Sequence, residues 1–98
     1  PAYVFYFIEA LEQAALELGL PAEVARQSAL QTFAGAVKLA ATGDADPATL
    51  RARVTSKGGT TERAIGALDA AKVKAAFIRA VRAAAQRSAE LGDTLGKD

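Results

Sequence analysis

Between residues 55 and 62 the chain reads Thr55-Ser56-Lys57-Gly58-Gly59-Thr60-Thr61-Glu62. This is the one stretch whose residue types and spacing could do chemistry. Two adjacent glycines let the backbone turn with its N–H groups directed inward, and a helix that follows presents unpaired N–H donors at the positive end of its dipole. The hydroxyls of Ser56, Thr60 and Thr61 flank the turn. Together these groups suit a small anion, a carboxylate or a phosphate. The spacing is not that of a P-loop, which needs Gly-x-x-x-x-Gly-Lys-Ser/Thr. Taken alone, a Gly-Gly turn before a helix is more often only a helix start.

The elements around this loop are all helical. Pro1 suits a first helical turn, and Tyr3, Phe7, Ala10/Leu11, Ala14 and Leu18 follow at helical spacing. Gly19 then reads as a left-handed cap. Pro21 opens a second helix with Glu23 in its first turn, running to about Ala41 and closed by Gly43. Asp46-Pro47 is an N-cap followed by a first helical residue, and the third helix spans Pro47 to about Val54. A fourth starts at Thr60 or Thr61 and reaches about Ala71. A fifth covers Val73 to Leu91, with Gly92 as its expected stop. Nothing alternates with period two over a strand's length, so the fold class is all-α with about five helices. At position 72 lysine is a good helix former, yet the apolar stripes of helices four and five are out of phase. A break within Asp69–Val73 is therefore expected.

The faces indicate what these helices pack against. Tyr3, Phe5, Tyr6 and Phe7 point in almost every direction around the first helix, and a helix apolar all round is buried all round. The second carries small residues at Ala29, Ala34, Gly35, Ala36 and Ala40, which let helix backbones approach closely, with Leu30, Phe33 and Val37 beside them. The last shows Val73, Phe77, Ala80, Ala84 and Leu91 on one side. Of 98 residues 51% are hydrophobic, but half of these are alanine, which adds little buried area. A domain of this length buries only about two thirds of its unfolded surface. An interwoven dimer, sharing one core that includes Phe5, Phe7 and Phe33, is the expected solution.

Composition excludes several chemistries. Without Cys or His there is no disulfide framework, no thiolate or imidazole metal site and no Ser-His or Cys-His catalysis. Twelve basic against eleven acidic residues leave +1, far from the basic excess of nucleic-acid binders. Glu9, Glu12, Glu17 and Glu23 precede any cation, while Lys72, Lys74, Arg79, Arg82 and Arg87 run without an acid. Two solvated faces of opposite sign account for this. Residues 1–8 are apolar, but Glu9 and Glu12 end the run far short of the roughly 20 residues of a membrane span. No basic segment precedes it as in a secretion signal. The cytoplasm is the expected compartment, with neither membrane nor nucleic acid as a partner.

The run Arg51-Ala52-Arg53-Val54-Thr55-Ser56-Lys57-Gly58-Gly59-Thr60-Thr61, followed by Ala64-Ile65 and Leu68, resembles the signature of pyrroline-5-carboxylate reductase, roughly V-T-S-P-G-G-T-T-x-x-A-ψ-x-x-L with ψ aliphatic. Pro1-Ala2-Tyr3-Val4-Phe5 resembles the G-P-A-Y-x-F start of that family's C-terminal domain. Gln31-Thr32 and Gly35-Ala36 resemble its long second helix, and Ala80-Val81 with Arg87-Ser88 its last. The resemblance covers nearly the whole chain. It implies an enzyme that reduces 1-pyrroline-5-carboxylate to L-proline with NAD(P)H held by an N-terminal Rossmann domain. It also implies an intertwined helical homodimer, with assembly into higher oligomers. By resemblance, Ser56 and the N–H groups of Gly59, Thr60 and Thr61 hold the substrate carboxylate, with Gly58 in the same substrate-binding loop. The Thr61 hydroxyl is then the catalytic group, facing the ring nitrogen. Asp44 falls loosely near an acidic position of the family.

Three residues depart from that pattern: Lys57 stands for a proline, Lys72 for a glycine and Ser28 for an apolar residue. No Gly-x-Gly-x-x-Gly occurs, so no cofactor site is expected in this chain. The reading is a single helical dimerisation domain over 1–98, excised or engineered and catalytically silent alone, binding a small carboxylate weakly. Two alternatives stand beside it. One is a designed or repurposed helical oligomerisation scaffold with no ligand. The other is a weak binder of anionic surfaces or nucleic acid through the Lys72–Arg87 helix, which steep salt dependence would reveal.

Overall fold

The computed structural model describes residues 1–96, with side-chain surroundings through Asp93. Five helices follow one another: α1 (Ala2–Glu17), α2 (Ala22–Thr42), α3 (Pro47–Arg53), α4 (Thr60–Ala70) and α5 (Val73–Gly96). There is no strand among the described residues, and the all-α expectation holds. The chain divides into two compact units, Pro1–Arg51 and the remainder from Ala52.

In the first unit α1 packs against α2. Ala25 and Ala29 are fully buried and are the only buried hydrophobic residues among those described. Alanine at these positions lets two helix backbones approach closely, but it removes little apolar area from water. The aromatic turn of α1 stays open, with Phe5 66% and Tyr6 67% exposed. Phe7, Ile8 and Phe33 are half-buried. Ser28 is exposed, so its hydroxyl needs no apolar surroundings, and its carbonyl accepts the Thr32 hydroxyl at 2.7 Å.

The helix ends follow local chemistry. Gly19 has φ +95°, its N–H donates to Leu16 O at 3.0 Å, and the Leu20 N–H donates to Ala15 O at 3.1 Å. That pair of bonds is the left-handed cap expected there. α2 runs one residue further than expected and ends at Gly43 in extended conformation. At α3 the Asp46 carboxylate accepts the Thr49 N–H at 2.8 Å, the N-cap expected from Asp46-Pro47. This bond and its Thr49 partner hold the Asp46 carboxyl below its usual value. A depressed carboxyl stabilises the folded state above its unfolded pKa of about 3.9 and loses that contribution as pH falls through the lower folded value. The Thr49 amide resonance should therefore move as pH drops below about 4, and Asp46→Asn, which keeps an acceptor, should abolish the movement.

In the second unit α4 packs on α5, and the corner between them is the expected break. Lys72 has φ +56°, the one positive φ of a non-glycine residue among those described. Its N–H donates to Asp69 O at 3.0 Å, and its own carbonyl accepts the Ala76 N–H at 3.0 Å. Lys72 thus closes one helix and opens the next. Half-burial of Ile65, Val73 and Phe77 outweighs a local preference for one continuous rod. The left-handed conformation costs a residue with a Cβ roughly 1–2 kcal/mol. Lys72→Gly should therefore raise the unfolding free energy by about 1 kcal/mol, measured by urea titration.

One helix end departs from expectation. α5 does not stop at Gly92 but runs through it to Gly96. A glycine inside a helix costs about 1 kcal/mol relative to alanine. No proline follows to forbid further turns, and the chain continues its i→i−4 bonds past it.

Candidate functional site

The loop between α3 and α4 is built from a tight turn and a helix start. The Gly59 N–H donates to Ser56 O at 3.1 Å, closing a four-residue turn with Lys57 and Gly58 at its centre. Gly58 has φ +76°, which the third residue of a type II turn requires and which glycine adopts without steric cost. Gly59 is needed for another reason. Its backbone is extended, with φ −87° and ψ 179°, but a Cβ there would meet Ser56 Oγ at 2.6 Å and Ser56 O at 3.2 Å. Gly58 supplies conformation and Gly59 supplies room for the Ser56 hydroxyl.

α4 begins at Thr60 with Gly59 as N-cap and no side-chain cap bond. Arg63 is the first residue whose N–H is returned to the helix, donating to Gly59 O at 3.3 Å. Among the described residues the N–H groups of Thr60, Thr61 and Glu62 meet no protein acceptor. That is the normal state of a first helical turn, and it leaves donors and positive partial charge toward solvent. Ser56, Gly58, Thr60 and Thr61 are exposed, and Gly59 is half-buried. The structure thus brings the five expected site residues into one continuous turn and helix start.

Two details were not anticipated from the sequence. The Gly58 N–H is not open to a ligand, because it donates to Glu62 Oε1 at 3.0 Å. The signal for this lay in the sequence as a glutamate three residues after the N-cap, the position of the reaching-back acid in a capping box. Here it reaches one residue further back. An open groove takes in Gly58 and Gly59 and continues past Glu62, Arg63, Gly66 and Ala67. Ser56, Thr60 and Thr61 are not among its lining residues. Asp44 lies in the α2–α3 connection, within the other unit.

The donors, hydroxyls and turn suit a small anion. No group of three or more Asp, Glu, His or Cys that could hold a metal occurs among the described residues. No described helix is long and apolar enough to cross a membrane. On α5, Arg87 is engaged by Glu90 at 3.1 Å, an exposed pair three residues apart. One cation of the basic run is therefore neutralised on its own helix.

A family model described as pyrroline-5-carboxylate reductase dimerisation matches residues 1–91. The pyrroline-5-carboxylate reductase of Pseudomonas aeruginosa is 45% identical over 97 residues, covering 99% of this chain and 36% of that protein. Pyrroline-5-carboxylate reductase 2 of Bacillus subtilis is 43% identical over 91 residues, covering 93% of this chain and 33% of the relative. Among solved structures, the pyrroline-5-carboxylate reductase of Coxiella burnetii superposes with a TM-score of 0.89 at 44% identity, covering 93% of this chain and 34% of that one. The Plasmodium falciparum pyrroline carboxylate reductase, solved with NADP bound, superposes with a TM-score of 0.87 at 34% identity, covering 90% and 34%. The chain spans about a third of the length of these relatives. The match over residues 1–91, with the five-helix fold it accompanies, shows that the chain belongs to the pyrroline-5-carboxylate reductase dimerisation family.

Proposed function

We propose that this chain pairs with a second copy of itself by interleaving helices. On this reading it supplies, to a reductase of this family, the part of the active site that receives the substrate carboxylate. The observation that carries the reading is the apolar surface left open on each unit of a single chain, at Phe5 and Tyr6 on α1 and at Ile78 and Val81 on α5. A second chain is the cheapest cover for such faces, and the family match concerns dimerisation.

At the loop, the amides of Thr60 and Thr61 and the Ser56 hydroxyl hold the carboxylate of 1-pyrroline-5-carboxylate. The Thr61 hydroxyl faces the ring nitrogen and helps keep its proton there while the adjoining carbon is reduced. A nicotinamide dinucleotide does not fit the described residues. They contain no strand, and so no strand–glycine turn–helix cradle for a pyrophosphate. The reductant is held elsewhere in such an enzyme, and this chain contributes binding and orientation.

Light scattering at micromolar concentration tests the pairing. The expected mass is twice the 10.1 kDa of one chain, and a single species at 10.1 kDa overturns it. Titration with L-proline followed by NMR tests the loop. Weak shifts confined to 56–62 are expected, and shifts centred elsewhere would remove the loop from the site.

A further inference from the structure

We propose that Glu62 is the positioning residue of this loop: its carboxylate clasps the Gly58 N–H and holds the turn in the shape that leaves the Thr60 and Thr61 amides open to a carboxylate. The inference rests on the reading of the loop as a carboxylate site given above.

Three observations carry it. Gly58 sits at φ +76°, one well among several that glycine visits with similar ease. Lys57 before it has no ring to fix its own φ, so the two central residues of the turn are locally the freest in the loop. The turn's internal bond, Gly59 N–H to Ser56 O, leaves the Gly58 N–H outside the ring it closes. Glu62 Oε1 takes that N–H at 3.0 Å. Because Glu62 stands in the first turn of α4, the bond ties the centre of the turn to the helix. An acid that merely complemented the helix dipole could stand elsewhere in the first turn and leave Gly58 untouched.

The same carboxylate places a negative charge beside donors meant for an anion. Clasp and charge therefore act in opposite directions on ligand affinity, and glutamine separates them, since its amide oxygen can accept the Gly58 N–H without the charge. Hydrogen exchange at Gly58 and L-proline titration of the 15N-labelled chain supply the test. Glu62→Ala is expected to speed Gly58 exchange about fivefold, the worth of one net hydrogen bond, and to weaken the proline-induced shifts at Thr60 and Thr61. Glu62→Gln is expected to restore slow exchange and to bind proline at least as well as the parent. Unchanged Gly58 exchange in Glu62→Ala overturns the proposal. So does a Glu62→Gln variant that exchanges as fast as Glu62→Ala, since charge loss alone would then explain both. If the parent shows no proline shifts at the loop, the carboxylate reading fails, while the exchange comparison still decides the clasp.

Discussion

Replacing Ile78 and Val81 together by glutamate is expected to halve the mass in solution and to lower the thermal midpoint steeply. Both side chains lie on α5 and are 44% and 37% exposed in one chain. If those faces met water in the working molecule, two surface substitutions would each change stability by no more than about 0.5 kcal/mol. In an apolar interface each unpaired carboxylate costs several kcal/mol. At about 1.4 kcal/mol per decade, association weakens by at least about two decades per residue. Light scattering and circular dichroism on the same sample read both effects. A double variant with parental mass and parental melting would move the pairing surface off this face of α5.

Phe33→Ala should cost about 3–5 kcal/mol, the range for removing a fully enclosed aromatic side chain. Within one chain Phe33 is not fully enclosed, so the contacts of a single protomer account for only part of that. The excess is the share owed to the second copy. Urea titration of parent and variant at one fixed concentration measures it. A loss below about 1 kcal/mol would place Phe33 on the surface of the working molecule.

Much of the fold was legible because helix ends are written locally. Gly19 and Asp46 fulfil in the structure the roles their residue types imply, as a left-handed glycine cap and an aspartate N-cap. The corner at Lys72 was legible for a different reason. Lysine favours continuing the helix, but the out-of-phase apolar stripes of α4 and α5 showed that a continuous rod could not face one core. Gly92 misled because its type marks a weak point in a helix without deciding whether the helix yields there.

The candidate site was legible in part. Two glycines, flanking hydroxyls and a following helix indicated an anion from residue chemistry alone. The particular carboxylate and the role of Thr61 came from resemblance to a family signature. The Gly58–Glu62 bond was legible only as a glutamate at the third helical position; that its side chain reaches past the N-cap to the residue before it depends on the turn geometry. The roles of Gly58 and Gly59 were likewise indistinguishable in the sequence. One answers a backbone angle, the other the space taken by Ser56 Oγ.

Ala25 and Ala29 are all that one chain seals from water among the described hydrophobic residues, and this bears on how the protein acquires its structure. Two sealed methyl groups and a few part-buried side chains such as Phe7, Phe33 and Phe77 offset little of the chain entropy of ordering some 90 residues, at about 1–2 kcal/mol each for the backbone alone. On the pairing proposed above, folding and association become a single event whose rate depends on how often two chains meet. A newly made chain would then remain unstructured until its concentration lets it find a partner. The melting point would climb with protein concentration as mass action requires, and dilution alone would act as a denaturant.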